Sequence, residues 1–122
     1  MRNIVLALAG AAVALSLTAC DPTEKREYSC TRSFGEGEAA AEGCIQLKIT
    51  DAEALAVRTQ CDGAWDDDPC PAANRVAGYC NVPEAAEYTL SGTAARVYFY
   101  EPVTPTAAEA ACLSVDGTAW VD

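Results

Sequence analysis

The chain has 122 residues, a net charge of −10 and no histidine. Its length allows one compact domain but not two, and the lack of histidine removes the commonest general base and the commonest zinc ligand, which excludes serine triads and cysteine-histidine dyads. The eight Lys and Arg residues are scattered, so the sequence also predicts no nucleic-acid partner.

The N-terminal segment has the pattern of a signal peptide. Arg2 precedes an uncharged, mostly apolar run from Ile4 to Ala19, which is shorter than the roughly 20 apolar residues that a membrane-spanning helix needs. The sequence Leu-Thr-Ala-Cys that ends at Cys20 resembles the lipobox of bacterial lipoproteins. This resemblance implies cleavage of residues 1–19 and a diacylglyceryl (palmitate-type) anchor on Cys20. An ordinary secretory signal is the alternative.

The number of cysteines agrees with a lipid on Cys20. The chain has seven cysteines, and an odd count would leave a reactive thiol in an oxidising compartment. With Cys20 lipidated, three disulfides account for the others, as is typical of small exported domains. The sequence does not choose the pairing among Cys30, Cys44, Cys61, Cys70, Cys80 and Cys112.

The first elements of the mature chain follow from local patterns. Residues 20–29 are polar and lack apolar periodicity, which predicts a flexible tether before a single disulfide-linked domain over 30–122. A loop is expected over Gly35–Gly43, and the alternation of residues 44–49 predicts a half-buried strand. Thr50 and Glu53 form a capping box for a helix over 51–61, which Gly63 ends as a left-handed cap.

The second half of the sequence repeats this helix signature. Thr106 and Glu109 predict a second capping box, and both helices end near a cysteine followed by Asp-Gly and a tryptophan, so the two ends resemble copies of one unit. Residues 76–82 and 94–100 are predicted strands. The expected fold is therefore α+β: a small disulfide-rich domain with a short antiparallel sheet and two short helices, ending near Cys61 and Cys112, on one face.

The cysteine, glycine and aromatic pattern resembles small uncharacterised cysteine-rich lipoproteins of myxobacterial and proteobacterial type. The resemblance implies this architecture and an envelope location, and it implies no activity. The residues that carry it are Cys44; Cys61, Gly63 and Trp65; Cys70-Pro71; Gly78-Tyr79-Cys80; Tyr98-Phe99-Tyr100; and Cys112, Gly117, Thr118 and Trp120.

Three features could carry chemistry. Arg96, Tyr98 and Tyr100 share one face of a predicted strand and form a possible binding strip, unless a helix or loop covers them. The run Asp66–Asp68 offers oxygens to calcium, but without the spaced ligands of a calcium loop we favour a solvated turn. Trp65 and Trp120 are expected as core residues beside disulfides. The sequence contains no Cys-x-x-Cys spacing, so it predicts neither a thiolate zinc site nor a thioredoxin-type redox site.

The sequence therefore predicts a monomeric lipid-anchored envelope protein, a non-catalytic structural or binding module without cofactor or metal. Its partners are expected to be the membrane, through the lipid on Cys20, and an envelope protein. We expect the outer membrane, although Asp21 resembles an inner-membrane retention signal. The alternative function is inhibition of an exported hydrolase, whose cationic cleft a rigid acidic domain could plug. An enzyme that uses paired carboxylates is the third possibility.

Overall fold

Six antiparallel strands form one sheet in the order β3-β1-β2-β5-β4-β6. The computed structural model describes residues 23–86 and 89–122, so the predicted signal peptide and Cys20 lie outside the described residues. The elements are β1 (Lys25–Phe34), β2 (Ala41–Thr50), α1 (Asp51–Arg58), β3 (Ala64–Asp66), β4 (Tyr79–Val82), β5 (Ala95–Phe99), α2 (Pro105–Leu113) and β6 (Ala119–Val121), with short 3-10 turns at Gly37–Ala39 and Leu90–Gly92.

Both helices pack on the same face of the sheet. Ala54 and Val57 of α1 join Ala108 and Ala111 of α2 in one buried cluster with the inward side chains of the strands. The core is filled mainly by Phe34, Phe99, Ile45, Leu47, Ile49, Val82 and Val97. The predicted α+β class is confirmed, with the helices on one layer and the sheet on the other.

The sheet begins earlier in the chain than the sequence indicates. Residues 25–29, expected in the tether, form the first half of β1 and pair with the end of β2, where Lys25 lies opposite Thr50. Their polar character hides a strand because the first three residues, 25–27, are exposed, and burial begins only at Tyr28. The loop predicted over Gly35–Gly43 is also shorter, because β2 begins at Ala41.

The pairing register shows that the chain consists of two strand-strand-helix-strand units. The first unit is β1-β2-α1-β3 and the second is β4-β5-α2-β6, and their sheet order mirrors about the β2/β5 junction. Since Ile45 lies opposite Val97, the register has approximate two-fold symmetry centred on this pair. One row of paired residues crosses the whole sheet in the order Trp65, Cys30, Ile45, Val97, Cys80, Trp120.

All six cysteines outside the N-terminal segment form disulfides. Two of the bonds occupy corresponding places, Cys30–Cys61 joining β1 to the chain after α1 and Cys80–Cys112 joining β4 to α2. The third, Cys44–Cys70, has no counterpart in the second unit as described and joins β2 to the chain after β3. Two of the pairings that the sequence left open thus follow from which strand lies beneath which helix, whereas the third involves no helix.

The start of α1 agrees with the sequence, but its end does not. The capping box is present, since Thr50 Oγ1 accepts from the Glu53 amide at 3.2 Å and Glu53 Oε1 accepts from the Thr50 amide at 2.9 Å. The helix ends at Arg58, three residues before Cys61. Gly63 is not a left-handed cap, because it is not among the glycines with positive φ; instead, a Cβ there would lie 1.9 Å from the Thr31 carbonyl oxygen.

The start of α2 also differs from the prediction. The cap is Thr104, whose side-chain oxygen accepts from the Ala107 amide at 3.1 Å, and Pro105 occupies the first helical position. Thr106 lies inside the helix, so the predicted capping box with Glu109 is wrong. Proline is favoured at the first helical position because it has no amide hydrogen to leave unpaired. Here that preference determines where α2 begins.

We expect Thr104→Ala to lower the free energy of unfolding by about 1 kcal/mol, because the first turn of α2 loses its capping acceptor. Thr106→Ala is the matched control, since both threonines are exposed and only two residues apart. It is expected to change stability by less than about 0.5 kcal/mol. Urea unfolding followed by tryptophan fluorescence measures both changes. Equal losses in the two variants would contradict a cap at Thr104.

Candidate functional site

The sheet face opposite the helices, here called the open face, carries the polar half of the strand alternation. Gln46 and Lys48 of β2 point there while their neighbours Ile45 and Leu47 enter the core. On β5, Arg96 and Tyr98 alternate in the same way with Val97 and Phe99, which belong to the main core. Nothing from the two helices packs on this face, so its exposed parts are the first candidates for binding.

Half of the open face is covered by residues 67–75, here called the covering segment. The Cys44–Cys70 disulfide ties this segment to β2, and the Arg75 guanidinium lies 3.8 Å from the ring centroid of Tyr98. Arg75 donates to the carbonyl oxygens of Cys70 and Pro71 at 2.8 and 2.9 Å. The Tyr100 hydroxyl donates to the same Pro71 oxygen at 2.7 Å. A small second core with Cys44, Cys70 and Tyr98 results.

The structure divides the predicted strip of Arg96, Tyr98 and Tyr100 in two. Tyr98 is only 7% exposed, and Tyr100 is half-buried with its hydroxyl engaged by the covering segment. Arg96 is exposed. For Tyr98 and Tyr100, the alternative prediction is therefore the correct one, because a loop covers them. Arg96 is the part of the strip that stays accessible.

The other half of the open face forms a concave groove of about 350 Å³, here called the open groove. Arg96 lines the groove, and its guanidinium lies 4.6 Å from the ring centroid of Tyr79, which in turn lies 5.8 Å from the ring of Tyr98. These contacts hold the cation over an aromatic surface. The side chains that line the groove are Glu27, Gln46, Lys48, Asn81, Ala94 and Arg96.

The open groove is a cationic site on an acidic protein. In the strand register, Lys48 of β2 lies opposite Glu27 of β1, and Arg96 of β5 lies between Gln46 of β2 and Asn81 of β4. Within residues 23–86 and 89–122, the ion pairs closer than 4.0 Å are Arg26–Asp51 and Arg32–Asp62, so neither groove cation is in one. The hydrogen bond with Tyr98, and then the nearby Tyr79, raise the pKa of the Arg96 guanidinium, which stays charged.

Sequence reasoning identified one residue of the groove, Arg96, and missed the others. The alternation of residues 44–49 places Gln46 and Lys48 on a polar face, but nothing local shows that β2 lies beside β5. Glu27 was expected in the tether, and Asn81 comes from a third strand. No local signal marks the groove, because its residues meet only through the pairing of β2 with its neighbours β1 and β5 and of β5 with β4.

A second cavity, of about 210 Å³, lies at the edge of the sheet between α1 and β3. The Tyr28 hydroxyl donates to Asp51, and its ring stacks on Trp65 at 5.6 Å. Trp65 Nε1 donates to Asp67 at 3.0 Å. Both carboxylates of this cavity thus accept a hydrogen bond from an aromatic side chain, which indicates a structural role for them. The second unit repeats the device, since Trp120 Nε1 donates to Asp122 at 3.0 Å.

The Tyr28–Asp51 contact predicts a pH dependence at alkaline pH. The hydrogen bond to Asp51, then burial and the Asp51 charge, raise the pKa of Tyr28 above its ordinary value of 10.0. Folding therefore favours protonated Tyr28, and this stabilisation is present below about pH 10 and is lost as the pH rises through the raised pKa. In urea unfolding between about pH 8 and 11, the wild type should lose more stability than Tyr28→Phe. Identical slopes would show that the contact is not coupled to folding.

The acidic run Asp66–Asp68 forms an exposed turn at the start of the covering segment. The Asp66 carboxylate accepts from the Asp68 amide at 3.1 Å, and the Asp67 carboxylate is held by Trp65. Among the described residues, no group of three or more His, Cys, Asp or Glu side chains is arranged to hold a metal ion. The carboxylates of Asp66 and Asp67 thus accept hydrogen bonds from within or beside the turn, which indicates that they stabilise it.

No helix in the described part of the chain is both long and apolar enough to cross a membrane. Comparisons of the chain with protein-family models, with curated proteins and with solved structures return no match.

Proposed function

We propose that this protein is a lipid-anchored lipoprotein of the bacterial cell envelope, of the small cysteine-rich kind, whose domain is a non-catalytic binding module. The observation that carries the binding role is the open groove, where Arg96 and Lys48 face solvent on an otherwise acidic chain. Three disulfides hold the sheet that presents these side chains. A surface that is already rigid loses little conformational entropy when it binds.

The proposed anchor lies close to the domain. Because β1 begins at Lys25, the five residues from Cys20 can span at most about 18 Å. The groove residues Glu27 and Lys48 lie toward this end of the sheet, since Lys25 pairs with Thr50. A partner of the groove would therefore be met near the membrane surface, and we place that surface at the outer membrane.

Lipid attachment is tested with the full chain expressed in a bacterium that is fed an alkyne analogue of palmitate. We expect label on the wild type and none on Cys20→Ala, because the thioether needs that sulfur. Cys70→Ala is the control, since it also removes one thiol but keeps the lipobox. Label on Cys20→Ala would exclude the proposed anchor, whereas an unlabelled but exported wild type would indicate an ordinary secretory signal.

Binding through the groove is tested by crosslinking the full chain in intact cells and purifying its adducts. We expect at least one adduct that the wild type and Arg58→Gln both form and that Arg96→Gln does not. Arg58 is the matched control because it is an exposed arginine at the second cavity, on the helix side of the sheet. Adducts that are the same in all three chains would rule out the groove as the binding surface.

Inhibition of an exported hydrolase is the second candidate, and the exposed turn at Asp66–Asp68 favours it. The turn is held between β3 and the Cys44–Cys70 disulfide, so it could enter a cationic cleft without much ordering. Asp68 is the residue to change, because its carboxylate is not one of the two held within the turn. Slowing of a cationic muramidase by the wild type but not by Asp68→Asn would favour inhibition over the groove.

A further inference from the structure

We propose that the open groove binds an extended acidic segment of a partner protein, in the same manner as the covering segment lies on the other half of the face. This inference rests on the proposed function as a binding module and names the class of ligand. It follows from the two-fold register of the sheet, the contacts of the covering segment and the charges of the groove.

The symmetry of the register relates the covered half of the open face to the groove. Centred on the pair Ile45–Val97, the register exchanges residues 44, 46 and 48 of the first unit with residues 96, 98 and 100 of the second. Besides a hydrogen bond to Gln46, the covering segment is held by residues 44, 98 and 100. Their symmetry mates are Arg96, Gln46 and Lys48, and all three line the groove.

The covered half shows what kind of ligand such a surface accepts. The covering segment begins Asp-Asp-Pro-Cys-Pro, and besides the disulfide its hydrogen bonds with the sheet face are made by its backbone. The Cys70 amide donates to Gln46 Oε1 at 2.9 Å, and the Pro71 carbonyl accepts from Tyr100 at 2.7 Å. Prolines favour an extended backbone with free carbonyl acceptors, which side-chain donors can reach.

Within the described residues, no segment takes the equivalent place over Lys48 and Arg96, which line the open groove. There the disulfide and the tyrosines of the covered half are replaced by Arg96, Gln46 and Lys48, whose side chains are all hydrogen-bond donors. Two of these are cations, so carboxylates on the ligand would form charge-assisted hydrogen bonds with them. Glu27 at one end of the groove limits how far a run of acids can extend.

The probe is a fluorescein-labelled peptide, Asp-Asp-Asp-Pro-Ser-Pro, which copies residues 66–71 with serine in place of cysteine. Its binding to the full chain in detergent is measured by fluorescence anisotropy, beside the neutral peptide Asn-Asn-Asn-Pro-Ser-Pro. We expect the acidic peptide to bind at least about tenfold more tightly, and Arg96→Gln or Lys48→Gln to weaken it about fivefold each. Arg58→Gln should leave binding unchanged, and Arg96→Lys should retain part of it.

Equal binding of the two peptides, or equal weakening by Arg58→Gln, would overturn the inference. Self-association of the chain through the groove, seen as an Arg96-dependent doubling of mass in ultracentrifugation, would replace the partner protein by a second copy and also overturn it. If the acidic peptide fails while the Arg96-dependent adduct in cells persists, the class of ligand is wrong and the proposed binding role stands. If both fail, the binding role fails with it.

Discussion

Replacing Cys80 and Cys112 together by alanine should lower the free energy of unfolding by about 3 to 4 kcal/mol, the largest loss we expect from any paired change. Both cysteines are fully buried, and their bond closes a loop with a sequence separation of 32 between β4 and α2. Without it the unfolded chain gains the freedom of that loop, while the folded chain stays ordered because α2 packs in the core. Urea unfolding under non-reducing conditions measures the loss.

The Cys44–Cys70 bond is the matched control, because its sequence separation of 26 predicts nearly the same loop entropy. Its removal should nevertheless cost only about 1 to 2 kcal/mol, since the covering segment lies outside the main core and can detach locally. Detachment should expose Tyr98 and speed proteolysis within residues 67–75, with the main transition retained. A loss as large as that from removing Cys80 and Cys112 would show that the covering segment is part of the global folding unit.

The sequence predicted what depends on local contacts. The alternation of residues 44–49 and the capping box at Thr50 involve neighbours in the chain, and the structure confirms both. The repeat of helix, cysteine and tryptophan also predicted that the two ends are alike. It did not reveal the paired strands, because β1 and β4 precede the repeated signature and share little with each other besides their central cysteines, Cys30 and Cys80.

Two of the errors arose where a local pattern competes with another outcome. Thr-x-x-Glu at residues 106–109 is a capping box by pattern, but Thr104 followed by Pro105 starts the helix one half-turn earlier. Residues 25–29 are polar enough for a tether, and they become a strand only because β2 offers them a partner. Both outcomes are set by which alternative the tertiary structure stabilises more.

The candidate site was the least predictable part, because it depends on sheet order. Arg96 and Lys48 are far apart in the chain and are brought into one groove by the pairing of β2 with β5. The covering segment likewise hides Tyr98 only because Cys70 finds Cys44. Had the cysteine pairing been known, the alternation of residues 94–100 would have shown which aromatic residues are covered.

The second large effect is expected at Gly63, where Gly63→Ala should lower the free energy of unfolding by about 3 kcal/mol. A Cβ would lie 1.9 Å from the Thr31 carbonyl oxygen and 2.9 Å from the Arg32 Cβ, so β3 would have to move away from β1. That movement would break the short pairing of Thr31 with Ala64 and separate Trp65 from Tyr28. Urea unfolding and the tryptophan emission maximum measure the two consequences.

Gly117→Ala separates this steric explanation from a conformational one. Gly117 has a φ of +87°, and a Cβ added to it would meet no atom within 4 Å, so alanine there should cost only the backbone strain, about 1 kcal/mol. If Gly63 were a left-handed helix cap, as the sequence suggested, the two substitutions would cost the same. A Gly63→Ala protein as stable as Gly117→Ala would therefore contradict the close contact of β3 with β1. A much larger loss of unfolding free energy in Gly63→Ala, together with a red shift of the tryptophan emission maximum, would establish that contact as the reason for glycine at position 63.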